Sequence, residues 1–375
     1  MRLLFKILKE DFYTVKLENY SIHHVSVPFK RPLTTGIHEF LGIENVLVEI
    51  EAEGIKGIGY AFCFNPNQAK ATKAMVVDLL ESIKGKDISN VQKIWNDMWW
   101  RINFIGQTGP PVMAMSAIDT ALWDIIGKKA NMPLYKLWGG FRDEVPVYAT
   151  GGWISYSMGE LIEEATTYKE QGHTHYKIKV GQQDWQKDVV RVKQLRENVG
   201  QDFEIMVDAN QAWTVNQSIL FANAIEEYNI YWFEEPNNIH DIRGTAEIRK
   251  NINIPLATGE TVYTREGFKP LITNNVADVL MPDLMRCGGP TEFLKIAQLA
   301  DTYHLPVSSH TFTEMSLHLM AAVPNGTIAE YIPNWWDDLF EGGPKVKDGK
   351  LKLNNNPGHG YRFAEEVIKG FNVVN

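Results

Sequence analysis

The chain has 375 residues, enough for a large core and two domains. Its 44% hydrophobic and 22% charged content is that of a globular protein and excludes an intrinsically disordered one. A net charge of −9 gives no electrostatic footprint for nucleic acid or a membrane surface, so the partner expected is a small molecule. An acidic protein can still hold an anion where a metal ion supplies positive charge. Two cysteines, Cys63 and Cys287, make no disulfide framework and point to a reducing, cytoplasmic setting. No apolar run approaches the roughly 20 residues of a membrane span.

Met1 to about Tyr13 mixes Leu, Ile and Phe with Lys and Arg and reads as a short extension, without the apolar core of a signal peptide. Val46 to Glu51, followed by Gly54, Gly57 and Gly59, predicts an antiparallel hairpin. Helical patterns follow over Thr72–Ile83, Val91–Trp100 and Ala114–Lys129. Strands first and helices after predict a separate α+β domain, with a boundary near Gly139-Gly140 and Pro146.

From there the rhythm changes. Val145–Ala149 is the first of eight short strand candidates, and Tyr176–Val180 is the second. Strand side chains alternate, so Lys177 and Lys179 share one face, where mutual repulsion is expected to lower the pKa of one amine toward that of a usable base. Six more short, mostly apolar runs each deliver a polar residue: Asp208, Glu234, Glu260, Asp283, His310 and Glu330. Their spacing of about 20 to 30 residues suits a strand, a helix and two loops. Trp185–Asn198 and Thr291–Tyr303 carry the single apolar stripe of such helices. The pattern predicts a (β/α)8-type barrel with its chemistry at the carboxyl ends of the strands.

Three carboxylates in one barrel mouth, Asp208, Glu234 and Glu260, repel one another unless a cation lies between them. Oxygen-only ligands select a hard ion, Mg²⁺ above all. Their alternative fate is to cap helices or pair with surface lysines. Asp283 bonded to one nitrogen of His310 fixes its tautomer and raises the basicity of the other. Asn210 either supports the metal site or starts a turn. His173, His175, His304 and His318 read as surface or packing histidines, and most of the tryptophans, including Trp99, Trp100, Trp232, Trp335 and Trp336, as packing.

Lys177-Ile178-Lys179, Val207-Asp208-Ala209-Asn210, Phe233-Glu234-Glu235-Pro236, Thr258-Gly259-Glu260, Met281-Pro282-Asp283 and Ser308-Ser309-His310 together resemble the mandelate racemase subgroup of the enolase superfamily. Ala117–Asp124 and Leu137-Trp138-Gly139-Gly140 extend the resemblance over nearly the whole chain after the extension. The resemblance implies a (β/α)7β TIM-like barrel over 141–342. It also implies an N-terminal α+β capping domain within 1–140, completed by a returning segment, 343–375. It casts Asp208, Glu234 and Glu260, rather than Glu235, as Mg²⁺ ligands. Lys179 becomes the base, with Lys177 and Glu330 contacting the substrate carboxylate. Thr34–Phe40 falls where the family carries a mobile capping loop, with Gly36 as hinge and His38 and Glu39 as polar contacts. A homo-oligomer is also implied.

Such a site removes the proton next to a carboxylate and stabilises the resulting enediolate. The reading favoured is dehydration of an acid sugar, with Lys179 as base and His310 as acid. A likeness to sugar-acid dehydratases around His310 to Pro324 supports it. The alternatives are racemisation or epimerisation of a 2-hydroxy acid, and a metal-binding barrel that has lost catalysis.

Overall fold

The structure is a computed structural model describing residues 14–371 and 373, except 337 and 344. The extension expected over 1–13 lies outside the described residues. Three antiparallel strands, β1 (Asn19–Thr34), β2 (Glu39–Ala52) and β3 (Ile55–Cys63), form one sheet in the order β1-β2-β3. Helices Pro66–Ile83 and Pro110–Lys129 pack on it, and helix Val91–Arg101 packs on those two.

Of the three glycines read as hairpin signals, only Gly54 is in the turn. It and Glu53 both take positive φ, 73° and 52°, as a two-residue hairpin loop demands. Gly57 and Gly59 lie within β3, where helix Pro110–Lys129 crosses the strand. A Cβ on Gly59 would lie 2.1 Å from the Ala117 carbonyl oxygen, and one on Gly57 2.2 Å from that of Ala121. Those glycines set the distance between sheet and helix.

The barrel follows: β4 (Glu144–Gly151), β5 (His175–Lys179), β6 (Glu204–Asp208), β7 (Ile230–Glu234), β8 (Leu256–Thr258), β9 (Val279–Leu280) and β10 (Ala329–Tyr331). Parallel pairing runs β10-β4-β5-β6-β7-β8-β9. The seventh strand expected over Leu305–Ser309 is reduced to isolated bridges, in which Val307 joins Leu280 on one side and Gly326 on the other and closes the ring. Pro306 has no N–H to donate, which limits the ladder there. Helices such as Met158–Glu170 and Trp185–Val199 alternate with the strands, giving the (β/α)7β order.

The barrel interior is plugged by Tyr148, Met206, Trp232, Ala257, Met281 and Ile328. Alternation then puts Thr150, Asp208, Glu234 and Glu330, each two residues beyond a plug residue, on the same inner face one layer higher. Tyr176, Ile178 and Val180 point outward and pack with Leu161, Val192 and Leu195 of the surrounding helices.

The returning segment holds both parts. Its strand β11 (Lys350–Lys352) pairs antiparallel with the start of β4. Beyond it, the His359 N–H donates to Asp124 Oδ1 at 3.1 Å and His359 Nε2 lies 3.2 Å from Ile58 O. Asp119, in the same helix as Asp124, accepts from the N–H and hydroxyl of Thr291 at 2.8 and 2.7 Å, anchoring the start of a barrel helix. Both acids of the Ala117–Asp124 motif are therefore joints between parts of the fold.

Gly59→Ala is expected to lower the unfolding free energy by about 1–3 kcal/mol, because backbone rather than a flexible side chain must yield to the new methyl group. Denaturant titration measures this, and an unchanged midpoint would refute the close-approach account.

Candidate active site

Above the plug, the strand ends bring eight charged or imidazole groups together. Asp208 and Glu234 are neighbours in register at the ends of β6 and β7, and both are fully buried. Glu260 lies two residues beyond β8, after Gly259, whose φ of 131° turns the chain toward the axis. One oxygen from each of the three acids falls within 4.8 Å of the others. Their mutual repulsion is visible in Glu234. Burial, aided by Asp208, Glu260 and Glu330, pushes its carboxyl well above the usual range despite Lys177.

The donor set fits a hard divalent cation. It is all oxygen and buried, and the Oδ1 of Asn210 beside it is buried without a hydrogen-bond partner. Asn210, at a φ of 44°, donates its side-chain amide to Asp208 Oδ2 at 3.1 Å and Glu260 Oε1 at 3.4 Å. Glu235 points away. Its Oε1 accepts from the Thr258 hydroxyl and the Gly259 N–H at 2.6 and 2.7 Å, and burial followed by the charge of Glu260 pushes it up to about 8.

Lys177 and Lys179 share the inner face of β5, as alternation requires. Lys179 Nζ lies 2.5 Å from Asp208 Oδ2 and 5.5 Å from the centre of the Trp153 ring. Lys177 is fully buried, with Nζ 2.7 Å from Glu234 Oε1 and 2.9 Å from Glu330 Oε1. Burial would push its amine down, but Glu234 and Glu330 outweigh burial and hold it well above its ordinary value.

Glu330 also accepts from the Thr150 hydroxyl at 2.6 Å and the Thr311 N–H at 2.8 Å. Burial raises its pKa, but Lys177 and His310 overcome that and hold it at about 2. His310 follows the seventh-strand position, with Nδ1 2.6 Å from Asp283 Oδ2 and Nε2 3.1 Å from Glu260 Oε2. Burial opposes its protonation, yet the charges of Glu260 and Glu330 and the bond to Asp283 carry its pKa up to about 10. Asp283 caps the short helix Leu284–Cys287, accepting from Arg286 N at 2.7 Å, which fixes the carboxylate.

A cavity of about 710 Å³ opens over this cluster. Lys179, Asn210, Glu260, His310, Glu330, His38 and Glu39 line it, while Lys177, Asp208, Glu234 and Asp283 lie beneath its floor. The segment expected as a mobile loop is a short turn between β1 and β2 in which Thr35 Oγ1 accepts from Ile37 N and His38 N. Gly36 has an ordinary negative φ here. A Cβ on it would come within 2.5 Å of the Gly181 carbonyl oxygen, so its smallness serves close contact with the barrel.

Sequence reasoning missed Thr150, Thr311, Arg286 and Trp153. Thr150 alone carried a signal, standing two residues after Tyr148 at the end of the first strand. Trp335 lines the cavity, and Trp232 donates its indole N–H to Glu234 Oε2 at 3.0 Å, so neither is mere packing. His318 is the packing histidine expected, bonded to Tyr135 N and His359 O.

Residues 19–139 match the mandelate racemase/muconate lactonizing enzyme N-terminal domain, and residues 160–367 match the enolase C-terminal domain-like family. A 3,6-anhydro-α-L-galactonate cycloisomerase from Streptomyces coelicolor is 34% identical over 89% of this chain and 93% of its own length. An L-talarate/galactarate dehydratase from Salmonella typhimurium is 32% identical over 86% of this chain and 81% of its own. The crystal structure of the Salmonella enzyme with Mg and L-lyxarohydroxamate superposes with a TM-score of 0.92 at 29% identity, covering 96% of this chain and 94% of that one. A racemase from Streptomyces coelicolor with bound magnesium superposes equally well, at 0.92 and 33% identity, over 95% of this chain and all of the other.

If the acidic cluster holds a divalent cation, adding one to chelator-treated protein is expected to raise the unfolding midpoint, by mass action on the folded state. Glu260→Gln should lose most of that gain. An equal gain in the variant would exclude Glu260 as a ligand.

Proposed function

This chain belongs to the mandelate racemase/muconate lactonizing enzyme subgroup of the enolase superfamily, and from that premise we propose that it dehydrates an acid sugar to a 2-keto-3-deoxy acid. The observation that carries the reading is the placement of two proton-transfer groups in one cavity on different sides of one acidic cluster. Lys179 meets Asp208 and His310 meets Glu260. A site that only bound a metal has no need of that pair.

In this reading Asp208, Glu234 and Glu260 hold Mg²⁺, which supplies a Lewis acid for the substrate carboxylate. Lys179 takes the proton from the α-carbon. The negative charge then developing on the carboxylate is the hard part of the reaction, and Lys177, fixed by Glu234 and Glu330, adds positive charge from below the floor. His310, oriented by Asp283, delivers a proton to the departing β-hydroxyl, which leaves as water. Asn210, His38 and Glu39 contact the substrate from the wall and rim.

The cycloisomerase likeness favours a second reading on the same residues. Where the β-oxygen belongs to an internal ether, the same elimination opens a ring and no water is lost. Racemisation needs the same two groups but no leaving oxygen.

With Mg²⁺ and a panel of acid sugars, the expected product is a 2-keto-3-deoxy acid detected with a carbonyl reagent, one water lighter than the substrate. An isobaric keto acid from an anhydro sugar would instead establish ring opening, and α-epimer without any keto product would establish racemisation. Lys179→Ala and His310→Asn should each reduce turnover about 10²- to 10⁴-fold in folded protein. His310→Asn should still exchange the α-proton with D₂O while elimination stalls. Near-normal turnover in either variant removes that residue from its role.

A further inference from the structure

The cavity offers little positive charge to a second anion. Among its described lining residues the permanent cations are Lys179 and Arg286, and both are already engaged. Lys179 is held by Asp208 at 2.5 Å. Arg286 Nη1 lies 3.4 Å from Asp283 Oδ2 and donates to the Glu260 carbonyl at 3.1 Å. At the rim, Glu39 is exposed and has no ion-pair partner among the described residues. His38 beside it is held below its ordinary pKa by partial burial, so it meets a ligand at neutral pH as a neutral ring.

The wall facing this rim is aromatic and rigid. Trp153 and Trp335 stack at 5.5 Å with planes 6° apart. Phe40 stands edge-on to both, at 6.3 and 6.4 Å, and stacks on Phe64 at 4.1 Å. All four line the cavity, and Phe40, Trp153 and Trp335 are nearly buried. Such a surface recognises the C–H face of a chain or ring by area and shape, and it gives no compensation to a desolvated carboxylate.

We propose that the substrate is a monocarboxylate, with its one carboxylate at the acidic cluster and an apolar face against Phe40, Trp153 and Trp335. A dicarboxylate is disfavoured because its second charge enters without a partner and beside Glu39. The inference rests on the acid-sugar reading above and narrows it to aldonate-type acids, open or ring-closed, over aldarates.

The test is calorimetric titration of the Mg²⁺-loaded enzyme with matched aldonates and aldarates of the same chain length and configuration, galactonate and galactarate among them. The expected result is that the monoacid of a pair binds about tenfold or more tightly than its diacid. Glu39→Gln should narrow that gap. Leu41→Lys, which adds a cation at an exposed lining position, should strengthen diacid binding more than monoacid binding. A diacid bound as tightly as its monoacid by the wild-type enzyme overturns the inference, and so does a Leu41→Lys variant that gains nothing for diacids.

A keto-acid assay on the same pairs separates the two readings. Preferential monoacid binding without any keto product would sink the dehydratase reading and leave the charge preference standing. Keto product formed best from tightly bound diacids would do the reverse.

Discussion

Everything at the mouth of this barrel depends on packing opposite charges at close range where water is scarce. Asp208, Glu234, Glu260, Asp283 and Glu330 crowd around three permanent cations, Lys177, Lys179 and Arg286. Burying any of these alone costs several kcal/mol, so each position is tolerable only because its neighbours hold the opposite sign. Burial, reinforced by the neighbouring carboxylates, raises Glu234, and the carboxylates around His310 favour its protonated form against burial. Any positive charge placed among the acids competes with that proton. Ligand charge, base and acid are therefore one coupled electrostatic system, in which substituting one member retunes the others.

That system stands on an apolar plug, which is why a simple rule locates it. Residues two positions beyond Tyr148, Met206, Trp232 and Ile328 are Thr150, Asp208, Glu234 and Glu330, and alternation lifts each by one layer toward the mouth. This was legible in the sequence, as were the strand–helix rhythm and the convergence of the polar strand ends. Less legible was where a charge would come to rest. Lys177 and Glu330 are visible in the sequence as a lysine on a strand and an acid at a strand end. Nothing local says that they meet across 153 residues and neutralise each other, since that contact exists only once the ring closes between β10 and β4.

Glycines show the same limit of local reading. Gly36, Gly57 and Gly59 look like turn and hinge signals because local rules know glycine as a flexible residue. In the structure each marks a place where backbone from a distant element comes too near for a side chain: the loops bearing Gly181 and Ala212 for Gly36, and helix Pro110–Lys129 for the other two. The seventh strand failed in the opposite direction. Its composition is strand-like, but β9 offers two residues to pair with and Pro306 no donor, so only single bridges remain.

These contacts also divide the labour between the two parts of the molecule. The floor of the cavity comes from strand ends whose positions the plug and the ladder fix. The wall comes from the β1–β2 turn and from the loop after β4, which holds Trp153. Both are pinned to the barrel by helix Trp185–Val199. Its Asp188 accepts from Gly181 N and Gln182 N at 3.0 and 2.8 Å, and its Arg191 donates to Gly152 O at 2.8 Å and Trp153 O at 3.2 Å. The buried ends of that helix's side chains thus set the loop against which Gly36 rests and the ring that faces Lys179. A substitution at Asp188 or Arg191 touches no reacting atom, yet it is expected to shift the loops beneath the β1–β2 turn and the aromatic wall together. Selectivity among sugar acids can shift by that route while the proton-transfer groups below keep their geometry.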